Sequence, residues 1–551
     1  MALPEKYVEA MYIDPGVESY RGNPLIEALP PIMDLKTMKA RLAGKVAFNP
    51  EDCFASGHLR AHQISCLLDD FFQPLSVHKQ LEEKISIMMR MGYVGRNIEN
   101  GSLNKMMQEG YLRIMAGTTN DFRFSQTNST AKSFSLIGCS GSGKSLTVNR
   151  ILATYPEVIY HPKYNFIQLP YIRIQCPSNG SLKSLCLNFF RAVDQAIDSG
   201  YEKKYVQKRL GTEVLLSMMG QVATQRAVGI LVIDEIQRLK VKRNITQEQM
   251  LEFFVALVNV VGVPVVLIGT PKARPMFEME LQAGRRSAGF GAPFWEPMKP
   301  GPKVIDSKTG KLKRTEWRAF TDKLWNYQWL TKRDEILSEE LRDCWFELSQ
   351  GVLDIVVKLF VLAQLRAIAT GLERITEKLL RTVYEQELKP VHPMLKALRE
   401  DNVEKIVQYS DMKMPHLDKR LLELRREIEE NEAKVKDGID FSGNEKAMRL
   451  YTLLEAMGCE SSLLKPLVQN VFKQSPELSM PELTKIVLEW YSNPPTSKIN
   501  PVAKVKKKEW HTLDTEDLRF KYSQAEKGDL YKELTVGKEV YDVQAWLKSV
   551  G

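Results

Sequence analysis

Residues 138–145 read Gly138-Cys139-Ser140-Gly141-Ser142-Gly143-Lys144-Ser145 and fit Gly-x-x-x-x-Gly-Lys-Ser/Thr at every fixed position. That pattern is suited to phosphate chemistry. The glycines let backbone N–H groups curl around a phosphate chain, and a helix opening behind the loop adds its positive end. Lys144 is the residue to bridge β- and γ-phosphates, and the Ser145 hydroxyl is a ligand for Mg²⁺. About 90 residues downstream the chain reads GILVIDE, from Gly229 to Glu235. Asp234 closes this apolar run and is suited to hold Mg²⁺ through its water shell, while Glu235 can orient and deprotonate an attacking water. An Asp-Glu pair favours hydrolysis over transfer to a second substrate. A GTP-reading Asn-Lys-x-Asp motif is absent, because Asn104-Lys105 continues as Met-Met and precedes the loop. ATP with Mg²⁺ is therefore the expected cofactor set.

Two more positions bear on this chemistry. The run VVLIGT ends at Thr270, whose side chain either senses a γ-phosphate or caps a strand. Arg285 and Arg286 end the next helical pattern. They are an arginine finger reaching a neighbouring subunit's nucleotide, or a solvated basic helix end.

The elements that must position these residues alternate. SFSLIG (Ser133–Gly138), YIRIQC (Tyr171–Cys176), GILVID and PVVLIGT read as strands, with a further short strand near GAPFWEP. Helical patterns span Ser181–Ser199, Gly211–Gln225 and about Gln247–Val261. Strands alternating with helices of this length imply a parallel sheet built from βαβ units. Behind Arg314 the strand signal stops and periodic helical runs take over. The predicted class is α/β: a P-loop nucleotide-binding core with a parallel sheet, an α-helical lid and a further helical C-terminal region.

The expected boundaries are 1–125 for a mixed N-terminal extension, 126–314 for the core, 315–400 for the lid, 401–494 for C-terminal helices and 495–551 for a basic linker and partner-binding tail. In the extension, Val77–Gly92 is an amphipathic helix and GYVGRN (Gly92–Asn97) a loop. Leu417–Asp437 is so rich in charge that a solvated or linking helix is expected.

The 551 residues are 44% hydrophobic and 26% charged, which excludes wholesale disorder. The formal charge of +9 permits a nucleic-acid partner without demanding one. Seven cysteines are too few for a disulfide scaffold, so reduced cytoplasmic thiols are expected. One of them, Cys139, lies inside the phosphate loop, where oxidation would block nucleotide. The N-terminus has early acids and no apolar signal core. Phe253–Thr270 is apolar but carries Asn259, Gly262 and Pro264, so a helix, a turn and a strand are expected rather than a membrane span.

This strand order with an all-α segment behind it resembles an AAA+ module. The stretches YRGNPLIEALP, GYVGRN, LIGCSGSGKS, ILATYPEVIYH, LVIDEIQ, VGVPVVLIGTPKAR, RRSAGFG, LSQGVLDIVVKLFVLAQLRA and ELKPVHPML further resemble the TnsC family, AAA+ regulators of Tn-seven-type transposons. The resemblance implies an ATP-dependent homo-oligomer on DNA, a ring (hexamer or heptamer) or a filament. It implies a target-selecting protein or RNA-guided complex as one partner, and the TnsA and TnsB transposase subunits as others. It carries nucleotide roles onto Gly138, Gly143, Lys144, Ser145, Asp234, Glu235, Thr270 and Arg285. The AAA+ lid often supplies a sensor arginine. The matching stretch Gly351–Lys358 has none, so Lys358 substitutes or the role is absent, and slow turnover is expected. The tail would meet TnsA, and the protein would be cytoplasmic and nucleoid-associated.

Non-specific binding of double-stranded DNA needs Lys and Arg aimed at phosphates. The candidates are Lys183, the cluster Lys203, Lys204, Lys208 and Arg209, and the cluster Arg238, Lys240, Lys242 and Arg243; each is otherwise a solvated face. Cys53, His58, His62 and Cys66 have a spacing that permits zinc, but buried thiols and ordinary histidines are the expected reading. The expected function is an ATP-dependent, DNA-binding transposition regulator. The rivals are an ATP-gated DNA filament with little turnover and an AAA+ loader with a protein client.

Overall fold

The structure is a computed structural model and describes residues 4, 6–115, 133–206, 210–239, 253, 263–273, 295–304, 313–412, 414, 417–436, 445–457, 459–474, 478–492, 510–511, 520 and 523. The chain divides into two compact units, residues 1–458 and 459–551.

The described residues of the first unit include the strands β1 (Tyr7–Glu9), β2 (Ser133–Ile137), β3 (Val158–His161), β4 (Phe166–Gln168), β5 (Tyr171–Gln175), β6 (Ile230–Asp234) and β7 (Val265–Gly269). Four of them form a parallel sheet in the order β2-β7-β6-β5. The strands β2, β6 and β7 are buried at every position, which is why their sequences are mostly apolar, broken only by Ser133 and Ser135 in β2 and by Asp234 at the end of β6. Edge strand β5 alternates in burial.

Among the described residues of the first unit, the helices before the lid region include α1 (Pro24–Glu27), α2 (Leu35–Leu42), α3 (Gly57–Asp70), α4 (Ser76–Val94), α5 (Ser102–Met115), α6 (Lys144–Leu152), α7 (Leu182–Ile197), α8 (Tyr201–Val206) and α9 (Thr212–Gln225). The sheet sends alternate residues into two cores. Leu231, Ile233, Val265 and Leu267 pack with Phe189 and Phe190 of α7 and Met219 of α9. Val232, Val266 and Ile268 pack with Ile85 and Met89 of α4 and Val148 of α6. A sheet covered by helices on both faces directs its loops, and hence its chemistry, to the carboxyl ends of the strands.

Three local outcomes differ from the sequence pattern. First, β1 pairs parallel with β3, and β3 pairs antiparallel with β4. This second sheet joins the N-terminal segment to residues about 150 positions away, so no local signal announces it. Second, α4 continues through Val94, and the turn begins only at Gly95. Tyr93 is fully buried and its hydroxyl donates to Ala227 O at 2.7 Å, which anchors the last turn. Third, of the strand expected near GAPFWEP, residues 291–294 lie outside the described residues, and the described Trp295–Pro297 form no strand. Trp295 nevertheless donates its backbone N–H to Ile137 O at 2.6 Å, on the side of β2 away from β7.

The expected lid region contains α10 (Glu316–Trp325), α11 (Glu339–Ser349), α12 (Leu353–Ala369), α13 (Glu377–Glu387) and α14 (His392–Arg399), and α15 (Val403–Tyr409) and α16 (Leu417–Lys436) follow it. Thr315, Ser338 and Thr376 cap α10, α11 and α13 by accepting a backbone N–H from three residues on. The lid core surrounds the apolar helix α12. Trp317, Trp329 and Trp345 are buried in it, and Trp345 stacks on Phe360 at 5.1 Å.

Helix α3 enters the same core through Ala61, Ile64 and Leu67. Its Arg60 makes a bidentate contact with Glu373, at 2.8 and 2.9 Å, and donates to Trp329 O at 2.9 Å. The expected solvated helix is instead a packed one. In α16, Leu421, Leu424 and Ile428 are buried against α12 and α3. Three apolar residues at helical spacing suffice, because the remaining charges point outward or pair, as Arg420 does with Glu387. The last helix of this unit among the described residues is α17 (Glu445–Ala456).

In the second unit, α18 (Ser461–Gln474) packs on α19 (Met480–Ser492) through Leu464, Val468, Leu483 and Val487. No helix among the described residues is long and apolar enough to cross a membrane.

Candidate nucleotide-binding site

Residues 138–143 connect β2 to α6. Gly141 and Gly143 have φ of 77° and 91°, backbone that side chains with a Cβ rarely adopt. Lys144 opens α6, and its ammonium donates to Gly138 O and Cys139 O, both at 2.7 Å, and to Ser142 Oγ at 3.2 Å. A left-handed glycine pair, a helix N-terminus and a buried ammonium are the donor set that a phosphate chain requires, so the residues present fit ATP.

A stack of rings supports the loop from behind. The Trp295 indole N–H donates to Ser142 O at 2.7 Å. Trp295 lies on His78 at 5.7 Å, and His78 lies on Phe72 at 4.9 Å. Arg150 of α6 covers the other part of the column, 4.6 Å from the Phe72 ring. Burial pushes His78 down to about 4, so the imidazole is neutral and accepts the Leu75 N–H on Nδ1 at 3.1 Å. Cys139 is buried, and desolvation pushes its thiol up. A buried protonated thiol is a poor target for oxidants, so the expected oxidative block at this position is not supported by its surroundings.

The acidic pair emerges two strands away. Asp234 is 3% exposed and receives Arg173 of β5 at 3.0 Å. Glu235 sits at φ 59°, ψ 39°, in the left-handed region. This turn aims it away from the strand direction, and its carboxylate accepts the Gln237 side-chain N–H at 2.6 Å. Gln237 also accepts the Thr270 backbone N–H at 3.2 Å. The Thr270 hydroxyl donates to Asp411, whose other oxygen meets Lys272 at 2.8 Å. Ser140 in the loop donates its N–H to Ser410 O at 2.8 Å.

The lid meets the loop at one further point. The Asp354 N–H at the start of α12 donates to Gly141 O at 3.0 Å. Lys358, one turn on, pairs with the Asp354 carboxylate at 2.6 Å.

The structure thus places Gly138, Cys139, Ser140, Gly141, Ser142, Gly143, Lys144, Ser145, Asp234, Glu235 and Thr270 at the carboxyl ends of β2, β6 and β7. Arg285 and Arg286 lie outside the described residues. So do Lys208, Arg209, Lys240, Lys242 and Arg243. Lys183 is exposed on the first turn of α7, and Lys203 and Lys204 are exposed on α8, which packs back against α7 through Phe190 and Tyr205 and the Arg191–Glu202 pair. Arg238 stands 3.6 Å from Glu235.

The Cys53 thiol donates to Gln328 O at 3.1 Å, and Cys66 is exposed. Among the described residues no group of three or more His, Cys, Asp or Glu is arranged to hold a metal. Arg173, Gln237, Trp295 and Asp411 join the site without having been expected from the sequence. Only Arg173 carries a local signal, a charge in an otherwise apolar strand.

Two family matches bear on this site and on the far end of the chain. Residues 126–277 match the AAA domain family, and residues 505–550 match the Tn7 transposition regulator TnsC. The chain is a TnsC-type member of the AAA+ ATPase family. Its AAA match begins ahead of the phosphate loop and ends just past Thr270 and Lys272.

Solved structures also resemble this TnsC-type chain. A Walker-type ATPase of Pyrococcus abyssi is 14% identical over 58% of this chain and 89% of its own, with a TM-score of 0.32. The Drosophila ORC bound to DNA is 13% identical over 68% of this chain and 84% of its own, with a TM-score of 0.29. No curated protein matches the chain.

Proposed function

We propose that this TnsC-type protein is an ATP-hydrolysing transposition regulator that oligomerises on double-stranded DNA. It couples a target-selecting protein or RNA-guided complex to the TnsA and TnsB transposase subunits. The observation that carries the ATPase part is the placement of Lys144, Asp234, Glu235 and Thr270 at the carboxyl ends of the strands β2, β6 and β7, with Glu235 and Thr270 tied together through Gln237. The family match at 505–550 carries the transposition part.

Lys144 and the loop amides hold the phosphates. Ser145 and Asp234 hold Mg²⁺. Bound ATP with Mg²⁺ supplies a scissile phosphoanhydride whose developing charge the site neutralises. Glu235 orients a water and takes its proton. Arg285 and Arg286 reach the neighbouring subunit's site in the assembled ring or filament. Lys183, Lys203 and Lys204 contribute phosphate contacts that oligomerisation multiplies, with Lys208, Arg209, Lys240, Lys242 and Arg243 as further candidates. The domain plan is the one read from the sequence: extension 1–125, core 126–314, lid 315–400, helices 401–494 and tail 495–551.

One observation favours the rival in which ATP gates assembly with little turnover. Lys358, the candidate lid sensor, is held by Asp354. ATPase rates with and without DNA, for the wild type and Glu235→Gln, separate the two. The proposal expects DNA-stimulated turnover that Glu235→Gln abolishes. Rapid turnover indifferent to both would refute it. A mobility shift on random duplex with an ATP analogue tests the DNA part, and no shift at low salt rejects it.

A further inference from the structure

We infer that Asp411 is a built-in competitor for the terminal phosphate of a nucleoside triphosphate, and that it sets how this site discriminates triphosphate from diphosphate. The inference rests on the nucleotide reading given above.

Helix α15 ends at Tyr409, and the next residue, Ser410, is fully buried. Its carbonyl accepts the N–H of Ser140, an amide of the phosphate loop, at 2.8 Å. Asp411 follows. One carboxylate oxygen accepts the Thr270 hydroxyl, and the other meets the Lys272 ammonium at 2.8 Å. These donors lie side by side, since β2 and β7 are neighbours and Gly138 N–H donates to Gly269 O at 3.2 Å. The charge of Asp411 is also felt by the Cys139 thiol inside the loop.

The single turn that follows α15 therefore presents oxygen acceptors, one of them anionic, to an amide, a hydroxyl and an ammonium at the mouth of the loop. That is the acceptor chemistry of a phosphate group. A carboxylate and a phosphate cannot both occupy these donors, because like charges at contact distance repel. A triphosphate carries one more phosphoryl group than a diphosphate, so it is the ligand that must displace Asp411. Displacement lowers triphosphate affinity and frees the Ser410–Asp411 turn from the core. Nucleotide state is thereby coupled to the position of α15, through the differential affinity of the two arrangements.

The test uses the full chain. Equilibrium affinities for the slowly hydrolysed analogue ATPγS and for ADP, each with Mg²⁺, are measured by displacement of a fluorescent nucleotide. The proteins are the wild type, Asp411→Asn and Lys144→Ala. Hydrogen exchange of amides 403–412 is followed with each ligand in the wild type.

The expected result is an affinity for ATPγS about tenfold tighter in Asp411→Asn, with ADP changed by less than about twofold. In the wild type, ATPγS and not ADP accelerates exchange across 403–412. An Asp411→Asn protein that binds ATPγS no tighter, or that gains equally for both nucleotides, overturns the inference. So does exchange that is indifferent to ATPγS, a readout that does not depend on the variant folding. Loss of both nucleotides in Lys144→Ala upholds the nucleotide site whatever Asp411 does. A wild type that binds neither nucleotide overturns the proposed function and the competitor together.

Discussion

Gln237 holds Glu235. Its side-chain N–H donates to Glu235 Oε2 at 2.6 Å while its carbonyl oxygen accepts the Thr270 backbone N–H at 3.2 Å. The glutamate is in a left-handed turn beyond the end of β6, so this amide sets the direction of the carboxylate. Gln237→Leu keeps the volume and removes both bonds. The expected outcome is kcat lowered about tenfold to hundredfold with nucleotide Kd within about twofold, because misplacing a base by about an ångström costs rate rather than binding. Steady-state kinetics with nucleotide titration check this; an unchanged kcat refutes the positioning role.

Arg60 and Glu373 tie α3 to the lid, with side chains only 7% and 14% exposed. Removing one partner leaves a buried charge alone, which costs about 3–5 kcal/mol. Arg60→Ala and Glu373→Ala should each destabilise the first unit by that order in denaturant titrations. The double variant should cost much less than the sum, since the same pair is broken only once. Additive losses would mean that the two residues act separately.

His78 makes stability depend on pH. The unfolded chain takes up the imidazole proton near 6.5, the folded protein only near about 4. Between these values the unfolded state binds more protons, so stability falls as pH drops from 6.5 towards 4. The slope from this group approaches ~1.4 kcal/mol per pH unit. His78→Gln, which retains an acceptor for the Leu75 N–H, should show a correspondingly flatter stability profile over that window. Parallel profiles for the two proteins would exclude His78 as the source.

Lys203 and Lys204 are exposed on the short helix α8. If they meet phosphates in the assembled protein, Lys203→Ala with Lys204→Ala weakens binding to all duplex sequences alike. The slope of log K against log salt then falls by about 0.9 per phosphate no longer neutralised. Titrations of one random duplex at several salt concentrations read the slope, and an unchanged slope removes α8 from the interface.

The elements around the site are legible in the sequence because each carries its own pattern. The strands β6 and β7 are near-continuous apolar runs and β2 is apolar apart from Ser133 and Ser135, since both of their faces are covered. The helices α7 and α9 show their buried stripes directly. Helix α16 hides its packing because charge dominates its composition, while Leu421, Leu424 and Ile428 alone decide where it sits. β1 is invisible because its partner β3 is remote in sequence.

The phosphate loop, the acidic pair and the parallel sheet that carries them are written locally in the chain. These depend on short-range spacing, on the freedom of glycine, and on runs of residues that must leave water. What surrounds that chemistry is set by long-range packing. It brought Arg173 to Asp234, Gln237 to both Glu235 and Thr270, Trp295 under the loop, and Asp411 onto Thr270, 141 positions earlier. Most of these are contacts between elements, made by single polar side chains. A lone Gln or Asp has no period to reveal it, and its partner is chosen only when the sheet and lid close on each other.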